Sequence, residues 1–95
     1  MEELPVALVL TEFREPIVDP SGNGFKAKAC ALPNAKGLWQ GWIEFNPTNG
    51  APTFRSPAET MQATRSGVVK WAASLTTDHL SCALDRARVR IGVAS

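Results

Sequence analysis

Leu38-Trp39-Gln40-Gly41-Trp42-Ile43-Glu44-Phe45-Asn46 is the stretch that decides the fold. Read alternately, it places Trp39, Gly41, Ile43 and Phe45 on one side and Gln40, Trp42 and Glu44 on the other. Successive side chains of a strand point to opposite faces, so this pattern marks a strand whose first set faces a core. Just upstream, Phe25, Ala27, Ala29 and Ala31 alternate with Lys26, Lys28 and Cys30, which gives a second strand over 25–32. Dense turn signals flank both: Asp19-Pro20-Ser21-Gly22-Asn23-Gly24, Pro33-Asn34-Ala35-Lys36-Gly37 and Pro47-Thr48-Asn49-Gly50. Residues 5–13 read as an earlier strand and Pro52–Arg55 as a short later one. Short strands joined by such turns predict an antiparallel meander of three or four strands.

The second half changes period. Val68, Trp71, Ala72 and Leu75 are spaced i, i+3, i+4, i+7, and Leu80, Ala83, Leu84, Ala87 and Ile91 make a second such stripe. Two helices follow, at roughly 57–75 and 77–91, after strands at roughly 5–55. The start of the first has two readings. Ser56, Pro57 and Glu59 fit N-cap, N1 and N3 of a capping box. Thr64 is a rival N-cap, and Gly67 costs a helix interior up to about 1 kcal/mol relative to Ala, which favours a start near Arg65. Thr76 and Thr77 each suit the cap of the second helix. Strands first and helices after predict an α+β domain over 1–95, with both helices packed on one face of the sheet.

The chain has 95 residues, 44% apolar and 20% charged, with a formal net charge of +1. That composition fits one modest core and argues against disorder. The charge is too balanced for a dedicated nucleic-acid binder. Cys30 and Cys82 have no C-x-x-C spacing and read as two small buried hydrophobes. The start Met1-Glu2-Glu3 is acidic and the apolar run Val6–Leu10 is short, unlike a secretory signal. No run approaches the roughly 20 apolar residues of a membrane span. The expected location is the cytoplasm, with no membrane partner.

The elements Trp39-x-Gly41-Trp42-x-Glu44-Phe45, Glu59-Thr60-x-Gln62, Trp71-Ala72-x-x-Leu75-Thr76 and Leu80-x-x-Ala83-Leu84-x-Arg86-Ala87 together resemble small uncharacterised bacterial proteins. The resemblance spans about residues 24–88. It implies a shared fold and a bacterial origin, and no activity. Such proteins tend to have Gly where this chain has Cys82, and Pro where it has Ala63. A Pro there favours the later helix start.

Catalytic chemistry has few carriers. His79, the only histidine, lies in the first turn of the second helix among Asp78 and Ser81 and reads as a solvated residue, since a general base needs an orienting partner and a nucleophile nearby. One His and no Cys pair do not make an ordinary zinc site, so no metal or cofactor is expected. Glu44 and Glu59 form an acid–base pair only if they meet in space; otherwise Glu59 caps backbone amides and Glu44 pairs with a cation. Arg86, Arg88 and Arg90 read as cations favouring a helix C-terminus.

Trp42 carries the functional expectation. If helices cover one face only, Trp42 is exposed beside Gln40 and Glu44; otherwise an N-terminal segment or a loop covers it. An exposed aromatic among polar groups marks a binding surface. The best reading is a non-enzymatic interaction module that binds a protein partner or itself through the open sheet face or an edge. The alternative is single-stranded nucleic-acid binding, with Lys26 and Lys28 beside Trp42. A small enzyme using Glu44, Glu59 or His79 needs a pocket where at least two of them converge.

Overall fold

The computed structural model describes residues 7–92, with side chains through Arg88. Among these residues six strands precede two helices: β1 Leu8–Glu12, β2 Ile17–Val18, β3 Gly24–Pro33, β4 Trp39–Pro47, β5 Phe54–Arg55, β6 Thr60–Gln62, α1 Arg65–Ala73 and α2 Thr77–Gly92. The α+β expectation holds, as do the two longest strands and the second helix. Residues 5 and 6 of the expected first strand lie outside the described residues.

β3 and β4 form a central antiparallel hairpin, with pairs running from Phe25–Pro47 to Pro33–Trp39. Each outer margin of that hairpin is a broken strand. β1 pairs with β3 around Lys28–Ala31 and β2 with its first two residues. β5 pairs with β4 at Glu44 and Phe45, and β6 at Trp39–Gly41. The sheet is therefore four strands wide, open and wholly antiparallel. β2 and β6 are additions to the sequence reading; segments of two or three residues are too short to show a period.

The break between β5 and β6 settles where α1 begins. Residues 56–59 stand opposite Trp42 and Ile43, four residues against two. Ser56 donates its N–H to the Ile43 carbonyl (2.9 Å), and its Oγ accepts the Ile43 N–H (3.1 Å). Glu59 donates its N–H to the Gly41 carbonyl (2.8 Å). Ser56 and Glu59 are thus committed to the edge of β4, and a helix from Pro57 does not form. Thr64 caps α1 instead, its hydroxyl accepting the Gly67 N–H at 3.0 Å. At α2, Thr76 Oγ1 accepts the His79 N–H and His79 Nδ1 accepts the Thr76 N–H, both at 3.3 Å. This reciprocal pair has the logic of a capping box with His in the role of Glu.

Both helices cover the face predicted from alternation. Ala27, Ala29, Ile43 and Phe45 pack with Ala72, Leu80, Ala83, Leu84 and Ala87, and Ile17 and Phe25 extend the cluster. Phe45 and Ile43 are at most 1% exposed. Each such burial stabilises by roughly 1.5–3 kcal/mol. Small residues on β3 and β4 let the helices approach closely. Gly41 is the tightest point: a Cβ there would lie 2.7 Å from the Trp71 ring and 2.9 Å from Thr60 Cγ2.

Gly41→Ala is therefore an overpacking substitution, expected to destabilise by about 1–3 kcal/mol. Urea unfolding measures it, and an unchanged midpoint would show that Trp71 does not sit on β4 as described.

Candidate functional site

The face of the sheet opposite the helices carries all five residues singled out in the sequence: Gln40, Trp42, Glu44, Lys26 and Lys28. Strand register brings them together. Lys28 stands across from Glu44, Cys30 from Trp42, and Lys26 from Asn46. β1 adds Glu12 beside Lys28, and β5 adds Arg55 beside Glu44. Glu12, Lys28, Glu44 and Arg55 form a row of alternating charge across four strands. Lys28 Nζ is 4.0 Å from a Glu12 carboxylate oxygen.

Trp42 is not exposed. Only 3% of its surface reaches solvent. The Arg55 guanidinium lies 4.9 Å from the ring centroid, and Nε1–H donates to Glu44 at 3.3 Å. A small hollow beside the ring is bounded by Gln40 and the connection Ser56–Ala58. Helices on one face thus do not leave Trp42 exposed: the sequence reading allows a loop or an N-terminal segment as cover, and does not foresee the Arg55 side chain. Cys30, next to Trp42, is also buried, and burial, with the Glu44 carboxylate adding to it, pushes its thiol up to about 12. Lys26 is exposed, while Gln40, Lys28 and Glu44 are half-buried. The ring that was to stack on a base is thus covered; Lys28 stands across from Glu44, the next residue on this face, and Lys26 lies further along, across from Asn46.

Glu44 and Glu59 do not meet. Glu44 bonds to Trp42 on the open face, whereas Glu59 pairs with Arg86 of α2 on the helix side. Glu59 and His79 do share a cavity of about 240 Å³ with Trp71, Ser74 and Arg86. Its groups are mutually engaged: Arg86 neutralises Glu59, and the Ser74 hydroxyl donates to the Trp71 carbonyl at 2.7 Å. His79 Nδ1 is occupied by the Thr76 N–H. No unengaged nucleophile stands beside a base there.

The arginines of α2 also act differently from the expectation of a dipole effect. Arg86 holds Glu59, and Arg88, on the other side of the helix, holds Asp19 in the β2–β3 turn. Two ion pairs therefore tie α2 to the sheet; Arg90 lies outside the side chains described. Asp19 is buried and accepts from the Asn23 N–H at 2.8 Å and the Asn23 amide at 3.3 Å. The Arg88 hydrogen bond above all, with the Asn23 contacts, lowers its pKa from 3.8 to about 2. Composition gave no hint of this site, because Asp19 reads simply as a turn residue.

Sequence reasoning also missed a cleft of about 640 Å³ between the β2–β3 and β4–β5 turns. Phe25 and Phe54 line its apolar part and Arg88 its polar part. The two rings meet edge to face at 5.7 Å, and Arg88 lies 5.2 Å from the Phe25 centroid.

Among the described residues there is no cluster of three or more His, Cys, Asp or Glu side chains able to hold a metal ion, and no helix long and apolar enough to cross a membrane. No protein-family model, curated protein or solved structure matches this chain. The resemblance described above thus rests on its motifs alone.

Two outcomes follow from these environments. The native pKa of Asp19 lies below that of a free carboxyl, so its stabilising effect is complete above about pH 4 and is lost as pH falls toward 2. Urea midpoints should drop across that window, and Asp19→Asn should flatten that part of the profile while lowering stability at neutral pH; parallel profiles would refute the pair. Cys82 is exposed and Cys30 buried. A thiol reagent at neutral pH should modify one cysteine per native chain and both after denaturation, and rapid labelling of Cys30 in the native protein would contradict its burial.

Proposed function

We propose that this chain is a non-enzymatic interaction module that pairs with an extended segment of a protein partner, or of a second copy, along the outer edge of β1. The carrying observation is the character of that margin. Among the described residues, β1 bonds to β3 on one side only, and Val9, directed to the open face, is 54% exposed, with Leu8 at 38%. Val18 of β2, on the same margin, is 62% exposed. Unpaired strand edges with apolar side chains are templates for strand addition. A register shift between Val9 and Thr11 interrupts the ladder, and such a bulge limits the length of edge available.

The centre of the open face supports a supporting role rather than a contact role. Its charges alternate in sign across the strands, and Trp42 is covered by Arg55. This reading moves the binding residues from Trp42, Gln40 and Glu44 to Leu8, Val9 and Val18. The nucleic-acid reading keeps Lys26 and Lys28 but loses a stacking ring, so no observation favours it over the edge.

Sedimentation of the purified chain and affinity capture from its own host's lysate, with and without nuclease, test the reading. Nuclease-resistant capture of a protein, or self-association, is expected. Val9→Lys should abolish it, whereas Met61→Lys on the far margin should leave it intact. A monomer with empty capture, or equal loss in both variants, would refute the edge; loss on nuclease treatment would instead promote nucleic acid.

A further inference from the structure

The cleft between the two turns has the construction of a ligand site, and it lies apart from the β1 edge. Its walls are fixed by backbone bonding. Thr48 donates both its N–H (3.0 Å) and its hydroxyl (3.3 Å) to the Gly24 carbonyl, which locks one turn against the other. Asn49 Oδ1 accepts the Ala51 N–H at 3.0 Å, and this shapes the second turn. The apolar part is aromatic: Phe54 packs edge to face on Phe25 and tilts against Phe45 at 5.8 Å.

Among the described residues, Arg88 is the only charged one lining the cleft. Its side chain is 38% exposed, while the Asp19 carboxylate that holds it is 2% exposed and is not among the residues lining the cleft. One nitrogen, Nη2, is committed to Asp19. A guanidinium carries five N–H donors, so others remain to be offered toward the cleft. A buried carboxylate that orients a half-exposed guanidinium over an aromatic surface is a pre-organised anion receptor. The Asn23 and Asn49 amides at the rim add neutral hydrogen-bonding capacity without competing negative charge. At about 640 Å³ the cleft lies within the range of small-molecule sites.

We propose that this cleft binds a small aryl carboxylate, its ring against Phe25 and Phe54 and its acid group on the free N–H edge of Arg88. The flat body follows from the aromatic lining, and the single negative charge follows from the single cation. A guanidinium matches a carboxylate with two parallel N–H donations, and a neutral amide cannot replace that charge.

The test is a titration of the full chain with cinnamate and with its neutral analogue cinnamamide, followed by amide proton–nitrogen correlation spectra. Cinnamate should give saturable shifts at Gly22, Gly24, Thr48 and Gly50, with Kd on the order of 1 mM or tighter for so small a probe. Cinnamamide should bind at least about tenfold more weakly. Arg88→Met should erase that preference. Because Arg88 also anchors α2, Asn49→Asp serves as a second variant. It keeps the acceptor for the Ala51 N–H, adds a negative charge at the mouth, and should weaken cinnamate while sparing cinnamamide. Absence of saturable shifts, equal response to acid and amide, or shifts centred away from these turns would overturn the proposal.

Discussion

The indole of Trp71 rests on the backbone of β4 at Gly41, close enough that even a methyl group there would meet it at 2.7 Å. The placement of α1 depends on this contact, and α2 packs on the small residues Ala27 and Ala29 of β3 together with Ile43 and Phe45. Ala27, Ala29 and Ala31 are at most 1% exposed, so the helices descend onto the sheet until small side chains fill the gap. Larger residues at these positions would raise the helices and open voids around Ile43 and Phe45. Each large apolar side chain buried in this packing contributes roughly 1.5–3 kcal/mol.

With one face consumed by helices, the other is left to solvent, and its side chains satisfy one another. Charges alternate from Glu12 through Lys28 and Glu44 to Arg55, and like charges never stand directly opposite. Arg55 then extends along the face to cover Trp42, a cation–π contact of about 0.5–2 kcal/mol depending on how dry it is. A large aromatic residue on the solvent side of a sheet is thereby buried without a third layer. The exposed large apolar side chains of the sheet lie at its margins, at Leu8, Val9, Val18 and Met61. The two arginines of α2 then define the ends of the assembly. Arg86 fixes the helix to the β5–β6 connection, and Arg88 fixes it to the β2–β3 turn.

Periodicity made the central hairpin and α2 readable, because there one local pattern and one buried face agree. It failed where residues serve a neighbour instead of their own element. Ser56-Pro57-Ala58-Glu59 has the composition of a helix start, yet its polar groups bond to Ile43 and Gly41 across the sheet edge. β2 and β6 are held by pairing with long strands and carry no pattern of their own. The alternation placed Trp42 on the correct face and could not give its exposure, since the cover comes from Arg55 on a strand two positions of register away. The cleft was illegible for a similar reason: Asp19, Phe25, Phe54 and Arg88 are brought together only when α2 returns to the β2–β3 turn.

The proposal that binding uses the sheet margin and not its face rests on Trp42 being sealed, and that seal is directly measurable. The three indole N–H resonances can be recorded with a soluble paramagnetic agent that attenuates signals near the solvent. Trp42, at 3% exposure and bonded to Glu44, should be the least attenuated of the three, ahead of the half-buried Trp39 and Trp71, and Arg55→Ala should make it sensitive. Attenuation of Trp42 equal to or greater than that of Trp39 in the unmodified chain would show an open aromatic face and return the binding surface to the centre of the sheet.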